Sequence, residues 1–382
     1  MKFFKTMALI ATTMALGGSQ ASADIKVGIT VSASGPGAAL GQPQMKSVGT
    51  LPKEISGEKV TYIALDDESD PTKAAQNARK LILEEKVDVL LGSSLTPVTL
   101  PLLDIAAESK TPLLTMAASN ILVAPMDDKR RWVFKVVPND DIMATAILNY
   151  AAKNGAKTIA FIGVSDAYGE GYYKVLAEIA PKLGLTIVGK EGYARSDASV
   201  TGQVLKTIAA KPDAVLIASA GTPAVLPQKA LRERGYKGVI YQTHGIATDD
   251  FIKLGGKDVE GTLFAGEAYT IADDLDANDP FRKTTGAYVA AYRASQEQPP
   301  VIFGAHIFDS MQLVAKAVPD ALKGAKSGSP EFRAALRDGI EKSKDVYLNN
   351  GLANMSQTDH NGYDQRSAFI IRIQDARFRL VK

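Results

Sequence analysis

Cysteine is absent from all 382 residues. That excludes disulfides, thiol nucleophiles, thiolate metal sites and a lipid carried on cysteine. Histidine is scarce: His244, His306 and His360 are the only three. None is spaced from another as a metal-binding helix of HExxH type requires, so no metal centre is expected. No Gly-x-Ser-x-Gly occurs, which leaves a nucleophile elbow without a candidate. Beyond residue 30 no apolar run approaches the ~20 residues of a membrane span. An excess of one charge is also lacking, with 44 Lys and Arg against 42 Asp and Glu. Without a basic run there is no electrostatic footprint for nucleic acid. The single tryptophan, Trp132, reads as packing rather than ligand contact, in keeping with the usual burial of that side chain.

What is present starts at the N-terminus. Lys2 and Lys5 precede an apolar stretch over 7–16 and the small-residue site Ala21-Ser22-Ala23. This is the pattern of a secretory signal peptide over residues 1–23, with the exported protein starting near Asp24. Removing it takes away Lys2 and Lys5 and no acid, leaving 42 basic residues against 42 acidic ones. An exported, neutral, cysteine-free chain fits the periplasm, without lipidation. With 46% hydrophobic and 23% charged residues, the rest has ordinary globular composition and length enough for two domains.

The chain is organised around residues 87–120. A short apolar run over 87–91 ends in Gly92, as a buried parallel strand does. Ser93, Ser94, Leu95 and Thr96 follow, then Pro97. Thr before Pro signals a helix start capped by the hydroxyl, and the helix should run to about 109. Residues 112–116 make the next strand, and Ala117, Ala118 and Ser119 form its exit loop. Two strand ends therefore lie side by side with a helix N-terminus facing the gap between them. Open parallel sheets bind anions at such places, so this stretch is expected to hold a carboxylate.

Strands are expected at 25–31, 60–65, 158–164, 186–189, 214–218, 239–243 and 261–265, with a closing pair at 367–373 and 378–381. Helices are expected at 71–85, 142–154, up to about 183, 200–210, 223–234, 280–296, 301–317 and 330–342. Their alternation means α/β with parallel sheets, in two loosely similar series. Thr222-Pro223 repeats the Thr96-Pro97 device. Gly35-x-Gly37 with Asp66 and Asp67 imitates a dinucleotide fingerprint. Ser32, Ala33 and Ser34 separate it from its strand, however, and Pro36 breaks its turn. Asp66, Asp67, Glu68 and Asp70 are read as helix-capping and solvated rather than calcium-binding, because Asp70-Pro71 starts a helix.

The run 25–41, Asp66-Asp67-Glu68-Ser69-Asp70-Pro71, the 92–97 loop, Thr115-Met116-Ala117-Ala118-Ser119, Tyr168-Gly169-Glu170-Gly171 and the strand ending at His244-Gly245 occur together in this order. Over nearly all of 24–382 the chain resembles the type I periplasmic solute-binding proteins of branched-chain amino-acid (Leu/Ile/Val-type) ABC transporters. The resemblance implies two Rossmann-like lobes with parallel sheets, joined by three hinge crossings near 138, 268 and 350. Lobe 1 would comprise 24–138 and 269–350, and lobe 2 would comprise 139–268 and 351–382. It implies a small-molecule carboxylate bound in the cleft, inner-membrane ABC permease subunits as partners, a monomer, no cofactor and no catalysis. Carried onto this sequence, the ligand positions are Leu40, Leu95, Thr96, Ala117, Ala118 and Ser119 from the first lobe, Tyr168, Ala220, Gly221, Thr222 and His244 from the second, and Tyr269.

Two positions depart from amino-acid binders. His244 stands where those proteins place an acid for the ligand ammonium, and Ala220-Gly221-Thr222 stand where an aromatic is common. A histidine pairs poorly with ammonium but donates well to a keto or hydroxyl oxygen. The expectation is therefore an aromatic or aryl-keto acid. A branched-chain or other neutral amino acid is the alternative, and amide or urea-type ligands come third. From other classes come an exported enzyme, with Tyr168, His244 and Asp166 as candidate bases, and a sensor lobe serving a membrane signalling partner.

Overall fold

The computed structural model describes residues 24–297 and 299–381. The expected export signal at 1–23 lies outside the described residues. The first sheet contains β1 (Ile25–Val31), β2 (Glu54–Ile55), β3 (Glu58–Asp66), β4 (Val89–Gly92), β5 (Leu113–Thr115) and β6 (Val133–Lys135), in the order β2-β3-β1-β4-β5-β6. All neighbours are parallel except the short edge strand β2. The second sheet holds β7 (Thr158–Val164), β8 (Thr186–Tyr193), β9 (Ala214–Ala218), β10 (Val239–Gln242) and β11 (Leu263–Gly266), all parallel. A separate hairpin, β12 (Val346–Leu348) and β13 (Gly351–Ala353), precedes β14 (Phe369–Gln374) and β15 (Arg377–Leu380). These last two extend the second sheet antiparallel beside β11, giving β15-β14-β11-β10-β9-β7-β8.

The parallel parts of the two sheets share one topology. Each second strand flanks the first on one side, and the third, fourth and fifth follow on the other. The order therefore reverses beside β1 and β4 in one lobe and beside β7 and β9 in the other. A crevice opens at such a reversal because the crossovers on either side lie on opposite faces. The fully buried strands read as unbroken apolar runs for the same reason, being covered on both faces. Helix Ile302–Gly324 fills one face of the first sheet, where Ile307, Met311 and Val314 pack with Ile25, Val27 and Ile29. A separate cluster around Phe161, Tyr172 and Leu216 fills the second lobe. A third apolar cluster runs across both lobes, joining Leu40, Leu95 and Val98 to Ala220, Val225 and Ile246.

Most expected elements are present with shifted ends. Helix Ile302–Gly324 continues past Pro319 instead of stopping before it. Pro319 sits on the exposed side of that helix, where water serves the carbonyl that a missing N–H leaves free. Helix Asp249–Gly255, capped by Thr248 accepting the Phe251 N–H at 3.1 Å, and the β12–β13 hairpin had no counterpart in the sequence reading.

Candidate ligand cleft

The strand ends of the first lobe are tied together by a buried network of hydroxyls. Asp67 is fully buried and accepts from Ser93 Oγ at 2.6 Å, Ser32 Oγ at 2.7 Å, the Ser69 N–H at 3.1 Å and Thr30 Oγ1 at 3.3 Å. Burial pushes its carboxyl upward and these donors oppose the shift. Ser94 accepts the Ser32 N–H at 3.0 Å and donates to Gln44 Oε1 at 2.5 Å. The acidic cluster is thus scaffold. Asp66 Oδ1 takes the N–H groups of Ala33, Ser34 and Glu68, and Asp70 caps its helix through the Lys73 N–H at 2.7 Å. Gly35 lies at φ +71°, and an added Cβ would come within 2.6 Å of the Glu68 carbonyl oxygen. The glycine loop is shaped for that packing.

Thr96 departs from its expected role as a cap. The cap position is Leu95, and Thr96 is the first residue of helix Thr96–Ser109. Its hydroxyl is buried and has no protein partner, so it is left for something else. Thr99 reaches back instead, donating to the Leu95 carbonyl at 3.0 Å and accepting the Ser93 N–H at 3.1 Å.

Across the gap, Asp166 caps helix Ala167–Ile179 by accepting the Tyr168 N–H at 2.8 Å. Its other carboxylate oxygen takes Nε of Arg195 at 2.7 Å. Arg195 follows the end of β8 and is therefore aimed by the same residue that sets Tyr168. Between the lobes lies a narrow cavity, with about 30 Å³ open to the centre of a water-sized sphere. Leu40, Leu95, Met116 and Phe303 form apolar walls, completed by the small residues Ala118, Ala220 and Gly245. Thr96, Tyr168, Arg195, His244 and His306 supply its polar atoms, beside Ser94.

Those five have one property in common. Thr96 Oγ1, the Tyr168 hydroxyl, Arg195 Nη1, His244 Nδ1 and both ring nitrogens of His306 are buried without a hydrogen-bond partner. Each such group costs about 1–3 kcal/mol when left unpaired, so a cluster of them around one cavity marks a polar binding surface. Burial, with the Lys135 charge adding to it, lowers His244 to about 3. Burial, and then the neighbouring His244, does the same to His306, also to about 3. Both rings are neutral at physiological pH. Tyr168 is raised by burial and stays a neutral donor. Lys135, buried beneath the floor, donates to the Ala118 carbonyl. Burial lowers it to about 8 while Asp140 pulls it back up, so it remains a cation near neutral pH.

Of the positions carried over from sequence, Leu40, Leu95, Thr96, Ala118, Tyr168, Ala220 and His244 line this cavity. Ala117 lies beneath it, its N–H held by Thr115 Oγ1 at 3.2 Å. Ser119 faces the other lobe, its Oγ 3.0 Å from where a Cβ on Gly171 would stand. Gly221 abuts Leu40 and Ala39 in the same way, and Thr222 is exposed. Tyr269 lies outside the lining of this cavity: its hydroxyl donates to the Pro300 carbonyl at 2.7 Å, and its ring packs on Tyr288. Ser94, Met116, Arg195, Gly245, Phe303 and His306 line the cavity without having been anticipated. The expected strand end at 189 leaves Arg195 unmarked, whereas β8 runs to Tyr193. Placed at a strand end, it would have joined the other candidates. Phe303 and His306, three apart on one buried helix face, carried no distinct signal.

His360, the third histidine, is structural. It stacks on Phe134 with centroids 4.1 Å apart and its Nε2 lies 3.2 Å from Glu341. Trp132 packs under the Arg337 guanidinium at 4.9 Å. Among the described residues no group of three or more acidic or histidine side chains is arranged for a metal, and no helix is long and apolar enough to cross a membrane.

Two sheets of one topology, with an interlobe cavity at their reversal points, define a two-lobed α/β binding protein. The chain belongs to the periplasmic binding protein family, whose sequence pattern matches residues 24–377. It is 24% identical over 330 residues to a Leu/Ile/Val-binding protein homolog of Brucella melitensis, covering 84% of this chain and 85% of that one. It is 72% identical to an extracellular ligand-binding receptor from Rhodopseudomonas palustris, with a TM-score of 0.93 over 94% of this chain and 100% of that one. A solute-binding protein of an R. palustris ABC transporter, solved with benzoate, shares the fold at 20% identity, with a TM-score of 0.80 over 94% of this chain and 96% of that one.

Proposed function

We propose that this protein is the solute-binding component of an ABC importer and that its ligand is an aromatic or aryl-keto carboxylate. The observation that carries this is the unpartnered Arg195 Nη1 in a cavity with no Asp or Glu among its lining residues. A guanidinium aimed by Asp166 offers a charge-assisted hydrogen bond to a carboxylate, and the Thr96 and Tyr168 hydroxyls are free to complete it. An α-amino acid would bring an ammonium as well, and a buried cation without an anionic partner is costly. The neutral His244 offers a hydrogen bond there but no charge. Phe303, Leu40 and Met116 suit the faces of a ring, with the small residues Ala220 and Gly245 beside them.

In this reading residues 1–23 direct export to the periplasm, the protein works as a monomer, and the ligand-loaded form docks on permease subunits. The site binds and does not catalyse. In this reading Thr96, Ala118 and Tyr168 hold the ligand, while Ala117, Ser119 and Gly221 shape the surfaces around it. A branched-chain amino acid is the second reading, favoured by the names of the curated relatives.

Isothermal titration of the purified protein distinguishes the two. Binding of benzoate-type acids, weakened tenfold or more by Arg195→Ala, is the expected result, a loss in line with removing one hydrogen bond to a charged group. Tight binding of leucine, isoleucine or valine with no response to aromatic acids would overturn it.

A further inference from the structure

The chain passes from the first lobe to the second between β6 and helix Asp140–Lys153, which packs into the second lobe through Met143, Ile147 and Leu148. Residues 136–139 make this crossing and belong to no helix or strand, so their backbone groups must find partners elsewhere. They find them in the loop between β13 and β14. Asn361, 1% exposed, spans the crossing with one side-chain amide. Its Nδ2 donates to the Val137 carbonyl at 2.7 Å and the Lys135 carbonyl at 3.3 Å. Its Oδ1 accepts the Asn139 N–H at 3.0 Å. The Tyr363 hydroxyl donates to the Val136 carbonyl at 2.9 Å, and the His360 carbonyl accepts the Lys135 N–H at 2.9 Å. From Lys135 to Asn139, every residue but Pro138 is therefore bonded to this loop.

The loop is itself fixed. Asp359 Oδ1 accepts the N–H groups of Asn361 and Gly362 at 2.9 and 3.0 Å. Gly362 lies at φ +68°, and an added Cβ would stand 2.7 Å from the Asn354 carbonyl carbon. Its own carbonyl accepts the Asn354 N–H at 2.8 Å. The Asn361 amide thus has little freedom to follow the crossing if it moves. At the far end Asn139 is the N-cap residue of helix Asp140–Lys153, its carbonyl accepting the Ile142 N–H at 3.1 Å. One amide therefore joins the last strand of the first sheet to the first helix of the second lobe. Turning the lobes about this crossing changes the separation of the groups that the amide joins, and a buried amide left unpaired is costly.

We propose that Asn361 is a positioning residue that latches this crossing at the bend seen here. It raises the population of the arrangement in which the lobes face each other across the cavity, and so strengthens binding without touching the ligand. Asn361, His360 and Tyr363 are all absent from the cavity lining. The gain in affinity rests on the carboxylate reading above; the latch does not. A site competent in one form alone has its apparent affinity reduced by the fraction of that form.

The absence of cysteine makes introduced cysteines the only labels. Nitroxides on Leu83→Cys in the first lobe and on Leu205→Cys or Leu254→Cys in the second, all at sites more than half exposed, report the separation of the lobes by pulsed electron paramagnetic resonance. Without ligand, the wild-type background should show a component at the separation found in this structure. Asn361→Ala should deplete it about fivefold or more, in line with losing buried hydrogen bonds. Affinity for benzoate should fall by about the same factor. Tyr363→Phe, which removes one hydrogen bond and keeps the ring, should move both readings the same way by less, and serves if the first variant fails to fold. Val204→Ala, a truncation in the core of the second lobe, should lower the thermal midpoint and leave the separations unchanged. A wild-type background without that component, or Asn361→Ala and Tyr363→Phe proteins that retain it in full, would overturn the latch. Failure of benzoate and other aromatic acids to bind would instead overturn the carboxylate reading, with the ligand-free comparison still deciding the latch.

Discussion

At the scale of single residues, the molecule separates polar groups that hold the scaffold from polar groups left open. Ser32, Ser93, Ser94 and Asp67 satisfy one another, while Thr96, Arg195, His244 and His306 do not. Side-chain type does not reveal which is which, and a sequence shows only type. Thr96, expected both to cap its helix and to hold ligand, is not the cap and keeps an unpartnered hydroxyl, whereas the expected strand end at 189 leaves Arg195 unmarked. Glu267 belongs to neither group. It follows β11, is 1% exposed, has Oε1 unpartnered, and burial pushes its carboxyl up to about 8. The folded state therefore keeps a proton that the unfolded chain loses above about 4.5. Its contribution to stability is full below that value and is lost as pH rises toward 8. His244 and His306 act in the opposite sense, since their depressed values remove stability as pH falls from 6.5 toward 3. Comparing Glu267→Gln with wild type cancels the histidines. The variant's relative stability should grow between pH 5 and pH 8, by at most about 1.4 kcal/mol per pH unit. Urea melts at three pH values measure it, and a difference that stays constant would mean Glu267 is ionised throughout.

At the scale of elements, periodicity and punctuation placed most strands and helices, because buried parallel strands and proline-started helices leave strong local marks. β1, β7 and β9 have the ends expected of them. The β12–β13 hairpin and helix Asp249–Gly255 did not show, being short and held by tertiary contacts rather than by pattern. Nor did the contacts between lobes, which depend on the geometry of closure. Helix Ala167–Ile179 makes one of them at Gly171, where an added Cβ would stand 3.0 Å from Ser119 Oγ. Gly171→Leu should leave each lobe intact and obstruct their approach. Its thermal midpoint without ligand should stay close to that of wild type, and its affinity for the best aromatic acid should drop at least tenfold. A variant that binds normally would show that this contact does not control closure.

At the scale of the whole molecule, two lobes of one topology share an apolar cluster. It runs from Leu40, Leu95 and Val98 on one side to Ala220, Val225 and Ile246 on the other. Opening of the lobes, which the proposed mode of binding requires, would expose this surface, at a cost that scales with the apolar area returned to water. It also hydrates the free atoms of Thr96, Tyr168, Arg195, His244 and His306, which in the closed form have no protein partner. These two effects oppose each other, so neither form need dominate without ligand. A ligand that satisfies those atoms from both lobes binds the closed form better and shifts the population toward it. Moving the balance from 1:99 to 99:1 takes about a 10⁴-fold difference in affinity between the two forms, within reach of several buried hydrogen bonds, one of them to a guanidinium. Small-angle X-ray scattering should show a radius of gyration that decreases on adding a bound aromatic acid, toward the ~20 Å of a compact chain of this length. Arg195→Ala should need more ligand to reach the same value, and Gly171→Leu should fail to reach it at any concentration. A radius that is already compact without ligand and does not respond to it would show that closure is intrinsic to the chain. The hydroxyls and the guanidinium would then select the ligand without driving the motion.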